Sequence, residues 1–279
     1  MVSYAFRKFK NRLFFVLCLA CVIIAVVPLL STLLEVLVRG APQLSVQFIT
    51  QPAGVIGESE GGIGPAIQGT LILIGLTSII GIPLGIMSGI YLAEYGDNRY
   101  AALMRRVNDV LAEFPSIVVG ITVFTVVVLS LGHFSPLAGA IALSFILIPI
   151  VARTTEESLK LVPNSIREAS LALGVHKWRT TMSVVLPTAR AGVVTGTLLA
   201  VARIAGETAP LIMTILGNQN FFQGFGQPMD ALPLRIWRDA LQPYPSLQAQ
   251  GWGAALILIL IILSLNIGVR IVSRGRLGR

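Results

Sequence analysis

Charge is what this sequence has least of. Of 279 residues only 12% are charged, while 54% are hydrophobic and mean hydropathy is +0.82. A soluble domain carries about a quarter charged residues, so lipid must be the solvent for much of the chain. Histidine and cysteine are equally scarce, at two each. His133 and His176 stand alone in loops without metal-ligand company. Cys18 and Cys21 lie inside the first apolar run and read as small apolar residues, not as a redox or metal pair. No metal and no cofactor is expected. A phosphate-cradling G-x-x-x-x-G-K-[ST] loop is absent, which argues against ATP hydrolysis by this chain. The clustered His, Asp or Ser of a membrane-bound phosphatase or lipid transferase are missing too. A net charge of +8 raises nucleic acid as a partner. However, the basic residues fall in short clusters between apolar runs, a topology pattern and not a nucleic-acid face.

What is present is length in apolar stretches. Crossing a bilayer takes about 20 apolar residues in a helix, and lipid tolerates only helices or closed barrels. Six segments qualify, near 13–38, 67–95, 107–131, 137–151, 191–216 and 253–272. This predicts an all-α polytopic protein, one transmembrane domain over residues 1–279. The first run is longer than a signal-peptide core and lacks an A-x-A site, so it reads as a retained helix. With the N-terminus inside, seventeen Lys and Arg fall on inner segments and three (Arg39, Arg235, Arg238) on outer ones. Both termini are therefore expected in the cytoplasm.

Glycines recur every four residues at Gly81, Gly85 and Gly89, and again at Gly192 and Gly196, a spacing that packs helices closely. Asp109 and Glu113 are expected in the first turns of the third helix, where negative charge suits the dipole. Glu94 has no assigned role. The outer loop near 39–66 is rich in Gly and Pro, and the one near 217–250 carries Phe221, Phe222, Phe225, Trp237 and Tyr244, aromatics suited to the lipid interface or an external partner.

The inner loop, 153–190, is punctuated like structure. Pro163 and Asn164 break the preceding run, and Ser165-Ile166-Arg167-Glu168 fits a capping box. A helix through Leu173 would end on a left-handed Gly174. A second would run from His176 to Val185, and Leu186-Pro187 would then start the fifth membrane helix. Small Ala169 and Ala172 suit a groove on another protein. Arg167, Lys177 and Arg179 are free to reach headgroups or a partner's acids. An amphipathic linker at the interface fits the same pattern.

Arg203 and Glu207 are the most informative charges. Counted from Ala191, Arg203 lies about 18 Å into a core of about 30 Å, where a lone charge costs on the order of 3 kcal/mol. Glu207 follows at i+4 and offsets part of that cost. The pair is either a structural tie between helices or a substrate site. A guanidinium fork matches phosphate oxygens and keeps its charge in a low dielectric.

Glu168-Ala169-Ser170, Gly174 six positions after the Glu, and Leu186-Pro187 resemble the EAA motif of ABC-importer permeases: E-A-A, three residues, G, nine residues, I-x-L-P. Ser170 and Val184 depart from it conservatively. Within that family the likeness is nearest to phosphate permeases of the PstA type, through Gly61-Gly62-Ile63-Gly64-Pro65-Ala66, Phe114-Pro115-Ser116-Ile117-Val118, Ala152-Arg153-Thr154-Thr155-Glu156 and Ala205-Gly206-Glu207-Thr208-Ala209-Pro210. The resemblance implies a type I permease fold in which residues 153–190 carry a coupling helix. Glu168, Ala169, Ser170, Gly174, Leu186 and Pro187 would then serve an ATPase, and Arg203, together with Arg153 at the inner end of the fourth helix, would serve the substrate. It also implies partners: a homologous second permease (PstC type), two ATPase subunits (PstB type) and an external phosphate-binding protein (PstS type). Molybdate, sulfate and phosphonate importers share the loop. An ion-gradient transporter is the rival class, but it calls for more intramembrane acids and an inverted repeat.

Overall fold

The computed structural model describes residues 4–54 and 61–275, without the side chains of Ala5, Arg270 and residues 272–275. Hydropathy alone would have drawn smooth spans; proline and glycine cut two of them. In chain order the helices are α1 (Tyr4–Gly40), the short α2 (Val46–Thr50), α3 (Gly64–Glu94), α4 (Arg99–Glu113), α5 (Ser116–Val123), α6 (Leu129–Leu131) and α7 (Pro136–Lys160). There follow α8 (Asn164–Ala172), α9 (Lys177–Thr180), α10 (Leu186–Ile204), α11 (Ala209–Thr214), α12 (Leu232–Ala240) and α13 (Pro245–Gly275). Among the described residues five helical stretches are long and apolar enough to cross a membrane, six if one bent pair counts as a span.

That bent pair is where the expected third helix stood. α4 and the stretch Ser116–Leu131 meet at 103°. Phe114 precedes Pro115 and is extended (φ −62°, ψ 133°), as the residue before a proline prefers. Asp109 and Glu113 consequently sit toward the C-terminal end of α4 and not in the first turns of a spanning helix. The dipole argument for them fails.

The expected fifth helix, 191–216, is also redrawn. It starts earlier, because α9, a π-helical turn (Thr181–Val185) and α10 run on as one 28-residue span from Lys177 to Ile204. Pro187 has no N–H to donate, and a π-helical turn lies just before it, where the ladder has one residue to spare. No separate helix ends at Val185. The span then stops at Ile204, and the chain turns through 205–208 before α11, whose second residue is Pro210.

The centre of the bundle is α3 against α7. Gly81 faces Leu147, Gly85 faces Val151, and Gly89 faces the Ala152 carbonyl and Thr155. A Cβ built on Gly85 would lie 2.7 Å from that of Val151, so these backbones approach as closely as glycine permits. Gly192 and Gly196 seat α10 on Ser158 and Thr154 of α7 in the same way. Leu73, Leu143, Leu147, Ile204, Leu211 and Ile215 fill the space between. α5 lies on α11 through Gly120 and Pro210.

Two features lie at the rim. α1 is exposed to its surroundings along most of its length and meets α13 only near one end, where Gly40 abuts Trp252 and Leu256 and Arg39 covers the Trp252 ring at 5.4 Å. Of the aromatics after α11, Phe222 packs on the core and meets Phe225 edge-on, whereas Phe221, Trp237 and Tyr244 stay largely exposed.

Candidate substrate passage and coupling helix

Arg203 occupies the last turn of α10, and Glu207 lies in the turn that follows. Their i+4 relation therefore does not run along a continuous helix, as the sequence suggested. The Glu207 N–H bonds back to the Ile204 carbonyl, curling the acid toward the arginine. Arg203 Nε and Glu207 Oε1 are 3.9 Å apart, too far for a hydrogen bond. The arginine side chain is 62% exposed and the glutamate 18%. Among the described residues this loose contact is the guanidinium's one ion pair, so its donors remain available. Helix α10 presents Arg203 on an exposed stripe with Thr188, Ala191, Thr195 and Leu199. Arg153 is exposed as well and pairs at 3.2 Å with Glu157 one turn along α7. Among the described contacts, none joins Arg153 to the Arg203–Glu207 pair.

At the end of the bundle carrying α8, the loop folds as a small unit. No capping box forms. The N-cap is Pro163, extended and without a side-chain cap, so the helix begins at Asn164 and Ser165 falls inside its first turn. The far end matches expectation: Gly174 is left-handed (φ 78°), its N–H bonds Leu171 O, and the Val175 N–H bonds Ser170 O. These two bonds make a Schellman stop. Glu168 and Ala169 face outward. Ser170 does not: it is buried, with its hydroxyl 2.9 Å from that of Thr180, so the third small residue of the motif closes the unit instead of presenting it. Leu186 likewise packs inward, beside Ile90, Leu159 and Val185; Pro187 is exposed. Leu173 (84%) and Trp178 (62%) protrude with Glu168. The sequence reading passed over both, although a Leu and a Trp flanking a helix stop in a charged loop were a usable signal.

Of the basic residues expected to reach outward, Arg167 and Lys177 are not free, while Arg179 is exposed on α9. Arg167 donates from Nε and Nη2 to Glu94 Oε1 at 3.0 and 2.9 Å, and further to the carbonyls of Val162 and Leu159. Lys177 Nζ reaches the Glu94 carbonyl and lies 4.5 Å from the centre of the Tyr95 ring. Glu94, unassigned from sequence, is thereby the anchor of the loop. Nearby, Arg105 of α4 bonds Glu156 and donates to the carbonyls of Leu92, in the last turn of α3, and of Gly96 just beyond it.

At the opposite end α12 holds a buried polar cluster. Arg235 pairs with Asp239 at 2.7 Å and with Gln250 of α13 at 3.1 Å, while Arg238 pairs with Asp230 at 3.0 Å. Burial pushes both aspartates above the usual carboxylate range, against the pull of Arg238 on Asp230 and Arg235 on Asp239. The Asp230 carbonyl occupies the space a side chain at Gly69 would need. Thr70 accepts the Leu232 N–H, and Gln68 accepts that of Phe222.

Both the sequence and the helical bundle are shared with known proteins. The sequence profile of the binding-protein-dependent transport system inner membrane component family matches residues 81–277. The chain belongs to that family. Among its relatives, the phosphate transport system permease protein PstA of Yersinia pestis is 43% identical, over 96% of this chain and 91% of that protein. PstA of Haemophilus influenzae is 40% identical over 97% and 96%, respectively. A probable PstA from Methanocaldococcus jannaschii is 35% identical over 95% and 94%. A permease chain of a bacterial ABC transporter that imports alginate superposes with a TM-score of 0.70, covering 99% of this chain and all of that one at 16% identity. A chain of the inward-facing MetNI methionine transporter gives 0.61 over 77% of this chain and 94% of that one, also at 16%. At such identities the likeness carries the fold alone, that of an ABC-importer permease. The family profile begins within α3, so α1 lies outside it, whereas the alginate-importer chain is matched over 99% of this chain.

Proposed function

We propose that this chain is a membrane-spanning permease subunit of an ATP-driven importer of inorganic phosphate, and that both its termini lie in the cytoplasm. Seventeen basic residues against three support that orientation, which puts α8 inside and α12 outside. The exposed Arg203, at a break in a membrane helix with Glu207 beside it, is the observation that carries the reading. Relatives that bear the phosphate permease name give it its substrate.

The passage would be completed by a homologous second permease, with two ATPase subunits engaging the outward face of α8 and an external phosphate-binding protein delivering substrate near α12. The chain does no covalent chemistry. The exposed guanidinium, in the last turn of α10 just before the turn at 205–208, can replace part of the water around a passing anion with forked donors. Near neutral pH phosphate keeps a proton on one oxygen. Glu207 accepts that O–H and repels a fully deprotonated oxyanion such as sulfate. Alternating access then exposes this pair to one side and the other in turn. Arg153, nearer the inner end of α7, would serve an exiting anion.

Phosphate uptake by the assembled importer tests the assignment. Arg203→Gln removes one charge-assisted anion contact, a loss of about 1.5–3 kcal/mol or roughly ten- to a hundredfold in uptake. Unchanged uptake by an importer that assembles normally would remove the arginine from the passage.

A further inference from the structure

The coupling unit is tied to the bundle at a point that neither the motif nor the family profile (which describes the whole of 81–277) singles out. α8 is nine residues long and turns one face to solvent. Its inner face rests on Ile166 and on the Ser170–Thr180 contact. From the middle of that helix Arg167 crosses to Glu94, the last residue of α3, with two donors on one carboxylate oxygen, the side chains being 18% and 5% exposed. The same guanidinium holds the Val162 and Leu159 carbonyls at the end of α7. Lys177 adds a second tie from α9 to the Glu94 carbonyl.

α3 is 31 residues long, about 46 Å of helix, and its other end is gripped by the loop that leads into α12 through Gln68, Gly69 and Thr70. Between the two ends Gly81, Gly85 and Gly89 press it onto α7. α10 is interrupted after Arg203 and α4–α5 is bent at Phe114–Pro115; α3 and α7 each carry an interior proline, Pro83 and Pro149, yet both run on as unbroken helices pressed along each other.

We infer that the Glu94–Arg167 pair makes α8 move as one piece with α3, so that α3 carries a displacement of the coupling helix across the membrane to the outer loop. Glu94 is a positioning residue in this scheme and touches neither substrate nor nucleotide. The inference rests on the proposed function, in which an ATPase engages α8.

The decisive experiment uses the full importer in proteoliposomes, both permeases, both ATPase subunits and binding protein, and reads phosphate taken up per ATP hydrolysed. Glu94→Gln is expected to leave the ATPase co-purifying with the permeases yet to lower that ratio at least about fivefold. Glu94→Asp, which keeps the carboxylate, should hold the ratio closer to the parent value than Glu94→Gln does, a split by charge that a purely structural lesion would not give. A ratio unchanged by Glu94→Gln overturns the inference, and so does Glu94→Asp no better than Glu94→Gln. If Glu94→Gln does not assemble, Arg167→Gln, which keeps donors for the Val162 and Leu159 carbonyls, decides by the same criterion. Should the unmodified chain fail to retain any ATPase, the functional assignment itself falls, whatever the pair does.

Discussion

In the proposed passage a carboxylate stands at Glu207 where an anion is to pass, and its side chain is mostly covered while that of Arg203 is open. Such an arrangement would discriminate by protonation: the acid would welcome an oxyanion that still has a proton to give and turn away one that does not. Glu207→Gln keeps the shape and can both donate and accept. Its expected outcome is about tenfold weaker phosphate uptake, the value of one charge-assisted bond, together with measurable competition by sulfate in the same assay. Selectivity identical to the parent protein would sink the argument. The arginine itself was legible, because a lone cation in an apolar run asks for a reason. Its setting was not. Nothing in the hydropathy of 191–216 signals a stop after Ile204, since the residues beyond it are as apolar as those before. Gly206 and Pro210 were the marks to weigh. Glu94 was out of reach altogether: its partner is 73 positions away, and a pattern confined to one helix holds no record of such a pairing.

Helix elements show what spacing can and cannot tell. The every-fourth glycines of α3 were readable as a packing face, and they are one. At Gly85 a larger side chain must push against Val151 and the Ile148 carbonyl. Gly85→Leu should destabilise the α3–α7 pair by about 1–3 kcal/mol, seen as a lower thermal midpoint of the purified complex. Gly75 on the same helix has nothing within 4 Å of a built Cβ, so Gly75→Ala should be neutral or gain about 0.5–1 kcal/mol. A complex indifferent to both changes would mean that the two helices are not pressed together. The inner loop was legible at its end and not at its start. Gly174 has one conformation to supply, whereas the Ser165 box competed with an extended Pro163 that launched the helix two residues sooner. Gly174→Ala forces a side chain into the left-handed region at roughly 1–2 kcal/mol. That change should lower uptake through a displaced coupling face without touching Arg203.

For the molecule as a whole, orientation is the claim most open to direct measurement. Leu173 (84% exposed, after α8) and Leu241 (67%, after α12) mark opposite ends of the bundle. In a chain lacking Cys18 and Cys21, Leu241→Cys should react with a membrane-impermeant thiol reagent on intact cells. Leu173→Cys should react only once the membrane is opened. The reverse order would invert the topology and move the ATPase face outside, ending the importer assignment. Apolar run lengths and basic-residue bias sufficed to read an all-helical, many-span protein, because both follow from the bilayer's thickness and its charge asymmetry. The 103° corner at Phe114–Pro115 escaped them, because a window that averages hydropathy is blind to the direction in which the chain leaves it.

α1 leans on its neighbours near Gly40 and nowhere along its first four turns. A rod clamped at one tip has no side contacts to fix its depth, so its depth depends on what its ends grip: the Arg39–Trp252 stack at one and the Arg7, Lys8, Lys10 and Arg12 group at the other. Removing those four cations would leave the helix moored at Gly40 and the Arg39–Trp252 stack alone, its far tip no longer pinned to one face as the bilayer thins or thickens.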